Sequence, residues 1–200
     1  MILIYIFLGH FIGDFLLQPN NLVAWKNKSW KGVAVHASIH FLVMSLLLYI
    51  YLPTVAIFLI SLPVALVHFV IDSLKAAHER KSRHSFVAYW VDQGCHYTSL
   101  IVTYLIGGQY VLAQTHPIFF SGIGGPLFSL YINPAVLIFL SLAVFSTLTI
   151  EFSYYRDRQK TSKNLSPLNY SGMFRRLLIL SIIYISLFLL YPASITAIVA

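Results

Sequence analysis

Four pairs of histidine and aspartate residues recur along the first half of the chain, each with a spacing of four. They are His10 with Asp14, His36 with His40, His68 with Asp72, and Asp92 with His96. Positions i and i+4 lie on one face of an α-helix, so each pair presents two side chains in the same direction. Imidazole and carboxylate groups suit zinc, manganese and iron ions, and a set without thiolates differs from most structural zinc sites. The spacing therefore predicts a site for one or two divalent cations, formed by these eight residues.

The segments that carry these pairs are much more apolar than a soluble domain. Of the 200 residues, 58% are hydrophobic and 10% are charged, whereas about a quarter of the residues of soluble domains are charged. Apolar runs of about 20 residues predict six membrane-spanning helices, near residues 2–18, 32–51, 55–77, 85–106, 134–153 and 174–191. We expect a single all-α transmembrane domain over 1–200.

Within this domain, residues 1–106 are predicted to form a four-helix core that carries the His and Asp residues. Residues 107–200 supply an outer loop at 108–132 and two helices that act as scaffold. Near the scaffold, Glu151 is expected to form an ion pair with Arg156 or Arg175. The first apolar run is expected to be a retained helix, because a signal peptide would not carry a histidine and an aspartate in its apolar core.

The basic residues predict the orientation of these helices. All 13 Lys and Arg residues lie in three stretches, which follow the first, third and fifth predicted helices. By the positive-inside rule those connections are cytoplasmic and both termini lie outside, in what we expect to be a bacterial inner membrane. Basic loops beside anionic lipids also account for the net charge of +7. We therefore expect membrane lipids and an amphiphilic substrate as partners and no nucleic acid, and an oligomer is compatible with the sequence. A single cysteine, Cys95, excludes an intrachain disulfide.

A rise of 1.5 Å per residue sorts the eight His and Asp residues into two layers. The deeper layer holds His10, His40, His68 and His96, and the layer nearer the cytoplasm holds Asp14, His36, Asp72 and Asp92. Three buried carboxylates are costly without compensating charge, and only Lys75 is expected close to them, so one or two divalent cations would compensate them. Four residues nearer the cytoplasmic ends are expected to contact the substrate or to hydrogen-bond the ligands: Gln18, Lys26, Lys75 and Gln93.

These observations lead to three functional hypotheses. The first is a metal-dependent hydrolase in which water attacks an ester or phosphoester, with catalytic roles for Asp14, Asp92 and His36. The second is a divalent metal-ion or proton transporter that uses the same residues, although the few polar residues in the outer halves of the helices favour a site open to one side. The third is a membrane assembly subunit without catalysis. A nucleophilic triad is less favoured because Cys95 adjoins His96 and so points about 100° away from it on a helix.

Several segments, taken in order, resemble an uncharacterised bacterial membrane-protein family, a domain of unknown function. They are GHFIGDFLLQ at 9–18, HASIH at 36–40, HFVIDSLK at 68–75 and DQGCH at 92–96, together with Lys26. More loosely, they resemble predicted membrane-bound metal-dependent hydrolases, which carry His and Asp in similar early helices. The resemblance covers about the first 100 residues. It implies a metal site at the same eight residues and supplies no established substrate.

Overall fold

The computed structural model describes residues 1–49, 52–80, 86–112, 133–158 and 169–190, and all regular structure in these ranges is helical. The α-helices are α1 Ile2–Phe11, α2 Asn20–Lys28, α3 Trp30–Leu48, α4 Thr54–Glu79, α5 Phe86–Leu112, α6 Pro134–Val144, α7 Ile150–Arg158 and α8 Tyr170–Leu190. A π-helical turn, Ile12–Leu16, extends α1, and a second one, Phe145–Thr149, joins α6 to α7. The all-α prediction is confirmed for these ranges. The outer loop begins later than predicted because α5 continues to Leu112, and the rest of that loop lies outside the described residues.

Four helical segments are long and apolar enough to cross a membrane, as expected of a membrane protein. They are Trp30–Leu48, Thr54–Glu79, Pro134–Tyr155 and Tyr170–Leu187. The first helix becomes a fifth only when it is counted with α2, from which it is bent by 93°. Helix α5 has 27 residues but is not among these segments, and Asp92, Gln93 and His96 lower its hydropathy.

Helices α1, α3, α4 and α5 are neighbours in space. Helix α3 packs against α1 and α4, and α5 packs against α4 and α1. At one end of this group the interior is filled by large apolar side chains that are at most 1% exposed. We call them the apolar end cluster: Ile6, Met44, Leu48, Ile60 and Leu100. Close packing of such side chains leaves no room for water, so the ionisable residues occupy the opposite half of the group.

Residues 20–28 were expected to belong to a connecting loop, and this expectation was wrong. They form α2, which packs against α3 and α4. A β-carbon on Gly32 would lie 2.6 Å from both the backbone nitrogen of Lys26 and the carbonyl carbon of Trp25. Glycine at the start of α3 therefore permits an approach that any other residue would prevent. This close crossing directs Lys26 back towards α4.

The last two described helices are joined by a buried carboxylate. Glu151 accepts a hydrogen bond from Arg176 at 2.8 Å and from the backbone N–H of Asn169 at 3.0 Å. The expected partner Arg175 is exposed instead. Successive residues on a helix point about 100° apart, so Arg176 faces α7 and its neighbour does not. The side chain of Arg156, the other expected partner, lies outside what the structure describes.

Candidate metal centre

Four histidine rings, one each from α1, α3, α4 and α5, form a compact layer. The centroid of His68 lies 3.8 Å from that of His40 and 4.1 Å from that of His96, and both pairs are stacked. His10 lies 5.2 Å from His96 and 5.4 Å from His40, and all four residues are at most 2% exposed. The structure thus brings together the four histidines assigned to the deeper layer from their positions in sequence.

Asp14 lies at the centre of the histidines. One of its oxygens, Oδ1, is 3.0 Å from Nε2 of His36, 3.1 Å from Nε2 of His40 and 3.6 Å from Nε2 of His68. The other, Oδ2, is 3.5 Å from Nε2 of His10. Four imidazoles contributed by three helices therefore direct the same ring nitrogen at one carboxylate.

Asp72 is shared between histidines and a lysine. Its Oδ2 accepts a hydrogen bond from Lys26 Nζ at 2.8 Å and lies 3.6 Å from Nε2 of both His36 and His68. Its Oδ1 lies 3.5 Å from Nε2 of His96. The expectation that only Lys75 lies close to the carboxylates was wrong, because α2 buries Lys26 beside Asp72. Both lysines had been predicted to contact the substrate or to hydrogen-bond the ligands.

Asp92 forms the edge of this arrangement nearest to Lys75. Its Oδ2 accepts a hydrogen bond from the Lys75 ammonium group, and its Oδ1 lies 3.5 Å from Nε2 of His96. All eight predicted ligands thus lie in one connected set, which we call the His–Asp cluster: His10, Asp14, His36, His40, His68, Asp72, Asp92 and His96. None of the eight predicted ligands lies outside this set.

The ligand atoms of the His–Asp cluster fall into three groups, in each of which they lie within 4.8 Å of one another. The groups are His10, Asp14, His40 and His68; His36, His68 and Asp72; and Asp72, Asp92 and His96. Several of these buried atoms make no hydrogen bond, namely both ring nitrogens of His10, Nε2 of His68 and of His96, and Oδ1 of Asp92. The Nε2 atoms of these histidines lie 3.5 to 3.6 Å from the nearest carboxylate oxygens. Because unpaired buried polar atoms are costly, the donor set fits a cation that would bind them. Histidine and aspartate are the ligands that zinc, manganese and iron accept.

A pocket of about 410 Å³ reaches the His–Asp cluster from the end opposite the apolar end cluster. Asp14 and Asp72 belong to its lining. Its other polar lining side chains are Gln18, Asn20, Lys26, Asn27, Lys75 and Gln93, and its apolar or aromatic ones include Phe15, Val23, Tyr89, Phe152 and Tyr155. The four residues predicted to contact substrate or ligands therefore all line one pocket that opens onto the ligands.

A family match accompanies this geometry. The family described as "Protein of unknown function (DUF3307)" matches residues 2–120. The chain belongs to this family. No curated protein and no solved structure matches the chain. The resemblance to an uncharacterised family is confirmed, and the matched part of this DUF3307 protein contains the entire His–Asp cluster.

Two glutamines place further hydrogen-bonding groups around the ligands of this DUF3307 protein. The amide nitrogen of Gln18 lies 2.8 Å from Nε2 of His36. The amide of Gln93 is 3.4 Å from Asp14 Oδ2, and the hydroxyl of Tyr97 donates to Gln93 Oε1 at 3.0 Å. Outer hydrogen bonds of this kind orient metal ligands in known sites. The predicted roles of both glutamines stay open between ligand orientation and substrate contact.

The backbone of the first helix departs from α-helical geometry where it presents Asp14. The backbone N–H of Leu17 donates to the carbonyl of Ile12 at 2.9 Å, a π-type bond five residues apart. A β-carbon on Gly13 would lie 2.5 to 2.8 Å from three ring atoms of His40. The glycine next to Asp14 therefore gives the ring of His40 the space it occupies against α1.

The contributions of α2 and α7 to the pocket were not predicted from the sequence. Asn20 and Asn27 of α2, and Phe152 and Tyr155 of α7, had been assigned no role, yet they line it. The polar stretch at 20–28 contained the signal for the two asparagines, since its lysines and asparagines are not typical of a membrane span. The aromatic residues of α7 carried no such signal, because they lie about 60 residues away from the nearest ligand in sequence.

Three potential nucleophiles near the ligands, Cys95, Ser99 and Ser38, are directed elsewhere. Cys95 is exposed, and the hydroxyl of Ser99 donates to the backbone carbonyl of His96 at 2.7 Å. Ser38 is also exposed, and its hydroxyl donates to the carbonyl of Ala34. A nucleophile has to stand within hydrogen-bond reach of its base, so the arrangement of these three residues does not favour covalent catalysis.

Proposed function

We propose that this protein is a membrane-embedded, metal-dependent hydrolase that acts on an amphiphilic ester, a lipid or lipid-linked molecule. One observation carries the proposal. Nε2 of all five histidines in the His–Asp cluster lies within 3.6 Å of a carboxylate oxygen of Asp14 or Asp72, and these two aspartates also line the pocket. A buried donor set that opens into one pocket is what a metal-assisted reaction requires.

Charge supports one divalent cation rather than two. The three aspartates of the His–Asp cluster carry a formal charge of −3, and the ammonium groups of Lys26 and Lys75 bind two of them directly. If the imidazoles are neutral, the net charge of the three aspartates and two lysines is about −1. One divalent ion changes this net charge to about +1 and two ions change it to about +3. Uncompensated charge in a low-dielectric interior is costly, so one ion is favoured. The group His10, Asp14, His40 and His68 offers three imidazoles and one carboxylate to a first ion.

The residues of the chain supply the remaining parts of a hydrolysis. A divalent cation at such a site acts as a Lewis acid and makes water nucleophilic at neutral pH. Attack would form a bond from the water oxygen to the carbonyl carbon or phosphorus and break the C–O or P–O bond to the leaving group. The water proton passes to a base, and the leaving alkoxide takes up a proton. His36 and Asp92 suit these transfers, because His36 contacts Gln18 of the pocket and Asp92 contacts Lys75. Asp14, among four imidazoles, suits a ligand better than a free base.

Pocket composition and helix polarity support the location of the reaction. We infer six spans, in which α5 and the bent first helix complete the four apolar ones, with α1, α3, α4 and α5 as the core of the site. The pocket then opens at the end that carries Lys26, Lys28, Lys31 and Arg80, which is cytoplasmic by the positive-inside rule. Both termini lie outside, and the membrane is a bacterial inner membrane. Polar side chains beside Phe15, Phe152 and Tyr155 suit a head group joined to an apolar chain.

Transport is the main alternative, and the apolar end cluster disfavours it. A pore or an alternating-access site would need polar groups or water beyond the histidine layer. Instead Ile6, Met44, Leu48, Ile60 and Leu100 fill that end. A purely structural role is also disfavoured, because a subunit that only assembles gains nothing from buried imidazole nitrogens without partners.

Metal analysis of the detergent-purified protein tests the proposal. We expect close to one equivalent of zinc, manganese or iron in the wild type after growth with these metals. His40→Ala and Asp14→Asn should lower metal affinity by at least about 10- to 100-fold, the range seen when even an outer partner of a ligand is lost. His78→Ala is the matched control, because His78 is exposed and lies on α4, the helix that carries His68.

A wild-type protein that elutes as a single folded species without stoichiometric metal would overturn the proposal. Given metal, a screen for hydrolysis of lipid carboxylic esters and phosphoesters in mixed micelles separates the enzyme from the alternatives. Uptake of Zn2+ or Mn2+ into proteoliposomes that exceeds protein-free vesicles, together with no hydrolysis, would favour the transporter.

A further inference from the structure

We infer that the pocket binds a phosphate group, so that the substrate is a phosphoester. When a cation is bound, the ammonium groups of Lys26 and Lys75 leave the aspartates and bind this phosphate instead. The inference rests on the proposed function, because it requires the cation. It adds the chemical class of the head group and a dependence of its binding on the metal.

The two lysines occupy positions from which such a transfer is short. Lys26 Nζ donates to Asp72 Oδ2 at 2.8 Å and Lys75 donates to Asp92 Oδ2, and both lysines also line the pocket. Asp72 Oδ2 lies 3.6 Å from Nε2 of His68, which belongs to the group of ligands assigned to the cation. The positive charge of a divalent ion at that group weakens the hold of Asp72 and Asp92 on the ammonium groups. The lysine side chains then turn towards the pocket, where flexible stems allow it.

The donors of the pocket match an anion rich in oxygen. Six of its lining side chains carry amide or ammonium N–H groups: Gln18, Asn20, Lys26, Asn27, Lys75 and Gln93. The acidic residues among the described lining are Asp14 and Asp72, which belong to the His–Asp cluster. Phosphate oxygens accept hydrogen bonds from such donors, and lysine binds phosphate as a compact positive charge. A neutral carboxylic ester would accept hydrogen bonds but would leave the positive charge of both ammonium groups uncompensated.

The same carboxylates make phosphate binding depend on the cation. Before the cation binds, Asp14 and Asp72 present negative charge to the pocket while both ammonium groups are bound to aspartates. An anion entering at that stage meets repulsion at close range in a partly desolvated site. With the cation present the repulsion is compensated and two ammonium groups become available. Linkage requires that phosphate and metal then strengthen each other's binding by the same factor.

The lysines therefore have opposite expected effects on the two ligands. The positive charge of Lys26 repels the cation and attracts the phosphate. Lys26→Gln should leave metal affinity unchanged or raise it, while phosphate affinity falls by about 10-fold or more, the cost of a hydrogen bond to a charged group. Lys28→Gln is the matched control, because Lys28 lies on the same helix but is exposed. A mutation that merely disturbed the fold would weaken both ligands together.

Calorimetric titration of inorganic phosphate into the full chain, held in phosphatidylcholine nanodiscs, tests this inference. The titration is run after zinc loading, and again after EDTA and desalting. We expect phosphate binding with zinc and at least 10-fold weaker binding without it. Competition by phosphatidic acid placed in the nanodisc, against glycerol phosphate in solution, separates a lipid head group from a soluble ester. Stronger displacement by phosphatidic acid is the expected result, since Phe15, Phe152 and Tyr155 adjoin the polar part of the pocket.

The outcomes separate the two levels of proposal. Stoichiometric zinc without phosphate binding overturns the phosphate inference and leaves the metal centre standing. If the folded chain binds neither zinc, manganese nor iron, the proposed function itself is overturned. The inference that the lysines change partner is overturned if phosphate affinity is the same with and without zinc. It is also overturned if Lys26→Gln weakens the binding of zinc and of phosphate in parallel.

Discussion

Replacing Gly13 with alanine tests whether the close contact between α1 and His40 positions the metal ligands. The added β-carbon would lie 2.5 Å from the nearest ring atom of His40, and ordinary contacts begin near 3.4 Å. The ring or the helix therefore has to move by about 0.9 Å. His40 Nε2 lies 3.1 Å from Asp14 Oδ1, and Asp14 is the residue next to the substituted glycine. The displacement thus acts directly on the spacing of two ligands.

Overpacking of a buried site by a methyl group typically costs about 1–3 kcal/mol of stability, and a misplacement of about 1 Å can cost roughly 100-fold in rate. We expect Gly13→Ala to lower the midpoint of thermal unfolding and to weaken metal binding by at least 10-fold. Metal affinity can be measured by competition with a fluorescent chelator, and unfolding by following the elution of the detergent-solubilised protein after heating.

Gly94→Ala on α5 is the matched control, because a β-carbon there would meet no atom within 4 Å. The same change of glycine to alanine in a helix then tests backbone effects alone, which favour alanine by up to about 1 kcal/mol. If Gly13→Ala kept the metal affinity and thermal midpoint of Gly94→Ala, the contact with His40 would not position the site, and the reasoning would be refuted.

Three further variants address α2, α7 and the closed end. Gly32→Ala should displace α2 from α3 and weaken the hydrogen bond between Lys26 and Asp72. A change in the fluorescence emission of Trp25 would show this displacement. Unchanged emission together with unchanged metal affinity would argue against the close crossing of α2 and α3. Arg176→Ala should reduce the stability of the protein by about 1–3 kcal/mol, because Glu151 loses a charged partner. Arg175→Ala should have almost no effect on stability, and neither variant should change the metal content. Equal losses of stability in the two variants would contradict the pairing of Glu151 with Arg176. Leu100→Ala should destabilise the protein by about 2–5 kcal/mol, because it leaves a cavity, while the folded fraction keeps its metal. Loss of metal from that fraction would show that the apolar end cluster and the His–Asp cluster are coupled.

Helical periodicity accounts for what could be predicted. The pairs four residues apart, taken with the alternating direction of successive spans, already place His10, His40, His68 and His96 at one depth. The structure groups their rings in one layer, in which His68 stacks on His40 and on His96. That success has a simple physical basis. Within a membrane span every backbone group bonds inside its own helix, so depth follows directly from residue number.

The features that escaped prediction depend on interactions between segments. The polar stretch Asn20–Lys28 has no apolar face long enough to predict a span, and its helix is fixed by packing against Gly32 and α4. The π-helical turn around Asp14 is a shift in backbone bonding that leaves no mark in residue type. The pairing of Glu151 with Arg176 rather than Arg175 depends on the rotation of α8 about its own axis. The sequence alone hardly determines that rotation.

The apolar end cluster has a consequence for the sidedness of the reaction. Because Ile6, Met44, Leu48, Ile60 and Leu100 close one end, water, protons and the substrate and product of the proposed hydrolase would all exchange with a single compartment. Turnover by the proposed hydrolase would then be electrically silent and independent of the membrane potential. In sealed vesicles only the copies with the pocket outward would work, and the others would stay latent until a detergent or pore opened the vesicle. The ratio of latent to total activity would therefore measure the orientation of the protein in the bilayer.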